Sequence, residues 1–334
     1  MAELGGFQRE DLGVLWAYQL FPGEPASELA PAAAQAWLQN PQSEGFLWLH
    51  LNLANNAALP WLKTGIELPD AFDEALVSPT RSTRIERDDE ALIGVVNDVS
   101  FDFSFEPTDT ATLWVLAERR LLVTCRRQPL RSVDQLRGVV KAGEPFRSSV
   151  DLLAHLLRDQ ADVLIDIVRK ASLRVDEVED QLLAGRLQAK RVRLGQLRRL
   201  LVRLQRLLAP EPGALFRLLQ HPPAWVGDDD IQELRQSSEE FSVALRDIGS
   251  LQERIKLLQE EIAAQVAESN NRTLFVLTTV TVLALPINMI AGLFGMNVGG
   301  VPFGEAPHGF AIVVSLVVGL TALLAWWVFR DRDR

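Results

Sequence analysis

The chain has 334 residues, 48% of them hydrophobic and 23% charged, with a formal net charge of −10 at pH 7 and a single cysteine, Cys125. That length accommodates two ordinary domains. The acidic balance argues against a nucleic-acid partner and fits a protein that handles cations. One cysteine excludes an intrachain disulfide and suits a reducing compartment for the soluble part.

The opening MAELGGFQREDLGVLW lacks the basic start and continuous apolar core of a signal peptide. Residues 1–145 mix two periodicities. EGFLWLHLNL (44–53), ALIGVVNDVSFDF (91–103) and TLWVLAERRLLVTCR (112–126, turning at its central ER) read as strands. APAAAQAWLQ (30–39), PDAFDEALV (69–77) and PLRSVDQLRGVV (129–140) read as short helices. A cytosolic α/β domain is expected here, its strand order left open.

Residues 146–225 turn helical. Apolar residues recur every three or four positions from Leu152 to Leu183 and again from Leu187 to Leu208. Pro210 and Pro212 are expected to stop the second helix, and HPPAWVGDDD (221–230) to break the chain. An antiparallel hairpin results. Over 226–272 a stalk helix is expected to begin after Asp228–Asp230. Leu234, Phe241, Ile248, Ile255 and Ile262 repeat at seven, with Leu245, Leu251, Leu258 and Val266 between them. This is a coiled-coil-like seam, from which neighbouring stalks and self-association are expected. Nothing breaks the pattern before the membrane, so one helix is predicted from Ile231 to Met296, about 100 Å at 1.5 Å per residue.

Charge disappears from Thr273 to Gly304 and again from Gly309 to Phe329. Both runs reach the roughly 20 residues that span a bilayer. Residues 273–297 and 309–330 are the predicted transmembrane helices, joined by a loop over 298–308. The loop has no Lys or Arg, whereas Arg254, Lys256, Arg272 and the tail RDRDR flank the spans. Both termini are therefore expected in the cytoplasm. Trp326 and Trp327 stand where an interfacial aromatic belt would lie.

One face of the first span carries Asn271, Leu274, Thr278, Thr281, Leu285, Asn288, Gly292 and Gly295, in alternating steps of three and four. An amide in hydrocarbon is costly without a partner or water. This face lines a water-filled pore between copies, or it holds packed helices together. In the second span Ala311, Ser315 and Gly319 form a small-residue row suited to close helix approach. Pro286 is tolerable in a lipid-embedded helix.

No tight zinc site is expected. The histidines stand at 50, 155, 221 and 308, with neither a paired spacing nor a second cysteine. Residues 186–206 hold eight Lys or Arg and no acid, and are expected to be solvated or paired with stalk glutamates such as Glu239, Glu240, Glu253, Glu260, Glu261 and Glu268. No phosphate loop or nucleophile with a base is present, so an enzyme is not expected.

Gly295-Met296-Asn297, closing the first of two C-terminal spans, resembles the signature of the CorA superfamily of divalent-cation transporters. LTTVTVLALPINMIAGLFGMN resembles that family's pore helix. ERRLLVTCRRQPLRSVDQLR resembles the end of its cytosolic domain, and VDEVEDQLL its helical hairpin. The resemblance covers essentially the whole chain. It implies a funnel-shaped homopentamer in a bacterial-type inner membrane, with a central pore. Phe294 before the tripeptide is common to the magnesium-transporting members. The loop NVGGVPFGEAPHGF, however, departs from their MPEL-type loop and is similar to the zinc-transporting, ZntB-like branch.

On that reading Asn297 of each copy contributes an amide to a ring at the outer mouth, with Gly295 and Met296 beside it. The amides hold a hydrated ion without stripping its water. Asn288, Thr281 and Thr278 supply further oxygens, and Leu285 and Leu274 form apolar constrictions. No cofactor is implied, only a transported cation, Zn²⁺ before Mg²⁺. Alternatives are a Mg²⁺, Co²⁺ or Ni²⁺ channel and, more remotely, a membrane-anchored coiled-coil structural or signalling protein. The spans hold no titratable group, so proton coupling would need residues outside them. Glu305 and His308 in the outer loop and Glu268 on the stalk are the candidates.

Overall fold

A computed structural model describes residues 11–78, 83–104, 110–183, 191–296, 302 and 307–330. The chain divides into two compact units, residues 1–259 and 260–334.

The first unit is built on a seven-stranded sheet. Its elements are β1 (Val14–Leu20), β2 (Ser27–Glu28), α1 (Pro31–Gln39), β3 (Phe46–Asn52), α2 (Ala58–Gly65), α3 (Asp70–Val77), β4 (Arg84–Asp88), β5 (Ala91–Val99), β6 (Thr110–Glu118), β7 (Leu121–Arg126) and α4 (Arg131–Lys141). The strand order is β2-β1-β3-β7-β6-β5-β4. Only β3 and β7 run parallel; the other neighbours are antiparallel. Helices cover both faces, so the central strands are apolar on both sides. Leu113, Val115 and Ala117 of β6 meet Leu130, Val133 and Leu136 around α4. Trp114 and Leu116 meet Phe72, Ala75 and Leu76 of α3, with Ala58, Trp61 and Leu62 of α2 in the same core. The three predicted strand regions and three predicted short helices all form. β1, β2, β4 and α2 were not anticipated from the sequence.

Then come α5 (Ser149–Leu183), α6 (Arg191–Leu208), α7 (Pro210–Gln220), α8 (Asp228–Phe294) and α9 (Gly309–Arg330). The prolines at 210 and 212 do end α6, but they also start α7. Proline suits the first turn of a helix, where its missing N–H is not needed, and Ala214, Leu215, Leu218 and Leu219 then bury α7 against the sheet core.

α8 begins at Asp228 itself, its acidic first turn complementing the helix dipole, and runs 67 residues through Pro286. Leu234, Phe241, Ile248 and Ile255 of its seam are buried. The positions between them are Ser237, Ala244, Leu251 and Leu258, all buried. Leu245 is only half-buried and Val266 is exposed, so the expected filling of the seam is corrected at these two sites. The smaller Ser237 and Ala244 stand where helices approach closely.

The seam is also covered differently from the sequence reading. Within the first unit the same chain's α5 and α6 supply the partners. Ser237 Oγ donates to the Ala154 carbonyl of α5 at 3.0 Å. Arg158 of α5 pairs with Glu233, and Arg254 pairs with Asp176 at 2.7 Å and with Glu179. Arg198 of α6 donates to Gln259 at 3.3 Å. The seam is thus the core of an intrachain three-helix bundle, and self-association does not follow from it.

Candidate functional site

α9 and the membrane part of α8 belong to the second unit, and both are long and apolar enough to cross a membrane. Two stripes of α8 contrast. Phe275, Thr279, Leu283, Pro286, Ile287 and Ile290 are half-covered and follow helical spacing. Asn271, Leu274, Thr278, Thr281, Leu285, Asn288, Gly292 and Gly295 are all exposed. At 100° per residue the two stripes lie on roughly opposite sides of the helix. A matching half-covered stripe on α9 is Val313, Val317, Thr321 and Leu324.

The polar face therefore lies on the side of α8 that the described chain leaves bare, a side it shares with Leu277 and Met289. Leu274 and Leu285 are 61% and 64% exposed on it. A Cβ built on Gly292 would meet nothing within 4 Å, so packing within the chain does not require glycine there.

The polar groups are poised differently. Thr281 Oγ1 donates to the Leu277 carbonyl at 2.9 Å, one turn back. Its proton is engaged and its oxygen faces outward as an acceptor. Thr273 does the same with Ser269 at 3.0 Å. The Asn288 side chain has no hydrogen bond among the described residues. Pro286 has no N–H, which leaves the Val282 carbonyl, one turn before it, without its helical donor.

The helix ends at Phe294. Gly295 N–H still donates to the Ala291 carbonyl at 2.9 Å, and Met296 follows in a bend, exposed. Asn297 and Glu305 lie outside the described residues. His308 is exposed just before α9, its carbonyl accepting from Ile312 N at 3.1 Å. At the far end Arg330 sits 5.0 Å from the Trp326 ring centroid, as an interfacial anchor would. Ala311, Ser315 and Gly319 are exposed, so nothing among the described residues seats on that row.

Among the described residues no group of three or more His, Cys, Asp or Glu could hold a metal ion. The basic face of α6 is solvated. Arg198, Arg199, Arg203 and Arg206 line an open cleft with Gln259, and none meets a carboxylate among the described residues. Glu240 and Glu253 of α8 face Arg158 and Lys256 instead. Sequence reasoning missed the acidic group at Asp98, Asp159 and Glu211, although the adjacent Asn97 and Asp98 inside a buried strand were a signal.

A sheet covered on both faces, a long helix feeding a bilayer span and an outward line of hydroxyl and amide oxygens along that span are the parts of a membrane transporter for polar cargo. A family model described as "CorA-like Mg2+ transporter protein" matches residues 43–330. The chain belongs to the CorA family of divalent-cation transporters, and so stands among transporters rather than enzymes. It is similar to the divalent cation transporter CmaX of Pseudomonas aeruginosa, 32% identical over 292 residues, covering 86% of this chain and 87% of that protein. It is also similar to the zinc transport protein ZntB of Pectobacterium atrosepticum, 25% identical over 332 residues and 99% of each chain. A solved structure of full-length CmaX superimposes with a TM-score of 0.82 at 27% identity, covering 97% of this chain and 99% of that one.

Proposed function

We propose that the chain is the subunit of a homopentameric Zn²⁺ importer of the inner membrane. Its ion path is the bare face of α8, and both termini are cytoplasmic. The observation that carries this reading is the separation of the two stripes. Hydroxyls, an amide and glycines share the exposed side, while the side turned away from them is half-covered. A helix that only anchors a domain has no use for such a face.

Asn297 completes the face as a ring of amide oxygens at the outer mouth. Neutral oxygens hydrogen-bond the water around a divalent ion at far lower cost than replacing it. Below the ring, Asn288 and the outward acceptor of Thr281 continue the hydrated path, and Leu285 and Leu274 narrow it. Zinc is favoured by the VGGVP loop and by the full-length match to ZntB. A Mg²⁺ channel is the second reading, supported by the family model's description.

Ion uptake into proteoliposomes tests both. Zn²⁺ and Mg²⁺ fluxes are measured with and without an inward pH gradient, with Asn297→Ala as control. The zinc reading expects Zn²⁺ flux that the gradient accelerates and the substitution abolishes. Mg²⁺ flux indifferent to pH would establish the second reading. Flux of both ions untouched by Asn297→Ala would overturn the pore itself.

A further inference from the structure

Asp98 of β5 lies between two further acids of the first unit, close enough to Asp159 of α5 and to Glu211 of α7 for its charge to disfavour ionisation of each. Asp98 and Glu211 are each 1% exposed. Asp98 is anchored at the start of α4, where its carboxylate accepts from Ser132 Oγ and backbone N–H, and from Val99 N at 2.7 Å. Glu211 stands in the first turn of α7. Its Oε2 accepts from Gln160 Nε2 at 3.5 Å, an amide that also donates to the Asn97 carbonyl. Its Oε1 is buried with no hydrogen-bond partner, as is Oδ2 of Asp159. Asp159 Oδ1 lies 3.7 Å from His155 Nε2.

Among the described residues no Lys or Arg bonds any of the three. Arg158 is the one cation acting on Asp159, and it is held by Glu233 and Glu240. Asp162 of α5 and Glu144, just before α5, add further negative charge on that side. No other element places a charge that shifts Asp98.

Packing several unpaired carboxylates together out of water is far more costly than keeping a proton among them. A protonated Glu211 also turns an orphan acceptor into a hydroxyl donor. Burial, the largest cause for all three, raises Asp98 to about 6, Asp159 to about 7 and Glu211 well above the carboxylate range.

We propose that Asp98, Asp159 and Glu211 form a proton-binding site, occupied at neutral pH and emptied as the surrounding pH rises, which makes the seating of α5 and α7 on the sheet pH-dependent. A carboxyl whose proton is held more tightly in the folded state stabilises that state below the ordinary carboxylate range. The contribution is lost as pH rises through the raised value. The unit therefore loosens on alkalinisation, whichever cation the membrane unit carries.

Infrared difference spectroscopy of the full chain in detergent, between about pH 6 and about pH 9, reads the site directly, because ordinary carboxyls are already ionised throughout that window. We expect a protonated-carboxyl C=O band at the lower pH that vanishes at the higher one and is diminished in Glu211→Gln. Hydrogen exchange over residues 210–220, corrected for its intrinsic pH dependence, should lose protection as pH rises in the wild type and not in Glu211→Gln. Absence of a titrating band in the wild type would overturn the proposal. So would a band and an exchange profile that Glu211→Gln leaves unchanged. Should Glu211→Gln fold poorly, Asp159→Asn carries the same test: it must diminish the same band, and a band it leaves unchanged overturns the proposal.

Discussion

Thr281 and Asn288 sit one above the other on α8 yet meet hydrocarbon on different terms. The threonine gives its proton to the Leu277 carbonyl and keeps its oxygen free. The asparagine side chain has no hydrogen-bond partner among the described residues, and an unmet amide costs about 2 kcal/mol or more away from water. It must therefore face water or another copy. Asn288→Leu is expected to lower ion flux by about tenfold or more, equivalent to roughly 1.4 kcal/mol, with the mass of the oligomer unchanged. Thr281→Ser, which keeps the acceptor, should retain most of the flux. If Asn288→Leu instead breaks the oligomer apart, the amide is adhesive between helices and does not serve the ion. This polar line was legible in the sequence because three-and-four spacing fixes which residues share a helical face. The carboxyls at Asp98, Asp159 and Glu211 were not, because they come from a strand and two helices far apart in the chain. Only tertiary packing removes them from water.

Among the elements, α8 shows how a sound pattern can carry a wrong partner. The heptad repeat correctly gives a long helix with a buried seam, since periodicity depends only on local geometry. It says nothing of what covers the seam. In the first unit that role falls to α5 and α6, tied across by Ser237, Arg158 and Arg254. Replacing Ile255, which is fully buried, by Ala removes core volume and should cost about 2–5 kcal/mol. Thermal unfolding should show the loss, while light scattering gives the same oligomer mass as the wild type. A variant that unfolds normally but dissociates would restore the seam to an interface between copies. The unread strands have a related explanation. In β4 only Ile85 is buried among charged neighbours, so its strand character comes from pairing with β5. α7 has no counterpart in the sequence reading because two prolines dominate its start and signal only the end of α6, whereas its buried face lies further on in Ala214, Leu215, Leu218 and Leu219.

For the molecule as a whole, the distribution of exposed apolar surface is what demands company. Leu274, Leu277, Leu285 and Met289 are each more than three-fifths exposed on α8, and lipid alone would satisfy them. Lipid would not satisfy the amide and hydroxyls that share their side of the helix. If copies of α8 surround an ion path, cysteines placed on the bare stripe face one another across it, and cysteines on the half-covered stripe do not. Asn288→Cys should therefore form covalent dimers with a short bis-maleimide in membranes, and Thr279→Cys should not. The background is clean, because Cys125 is fully buried and burial pushes its thiol up, away from the reactive thiolate. Equal cross-linking at both positions would mean that the covered stripe is not shielded from other copies. No cross-linking at position 288 in an intact oligomer would place the polar face away from any shared axis, and the ion path would then have to be sought elsewhere than along α8.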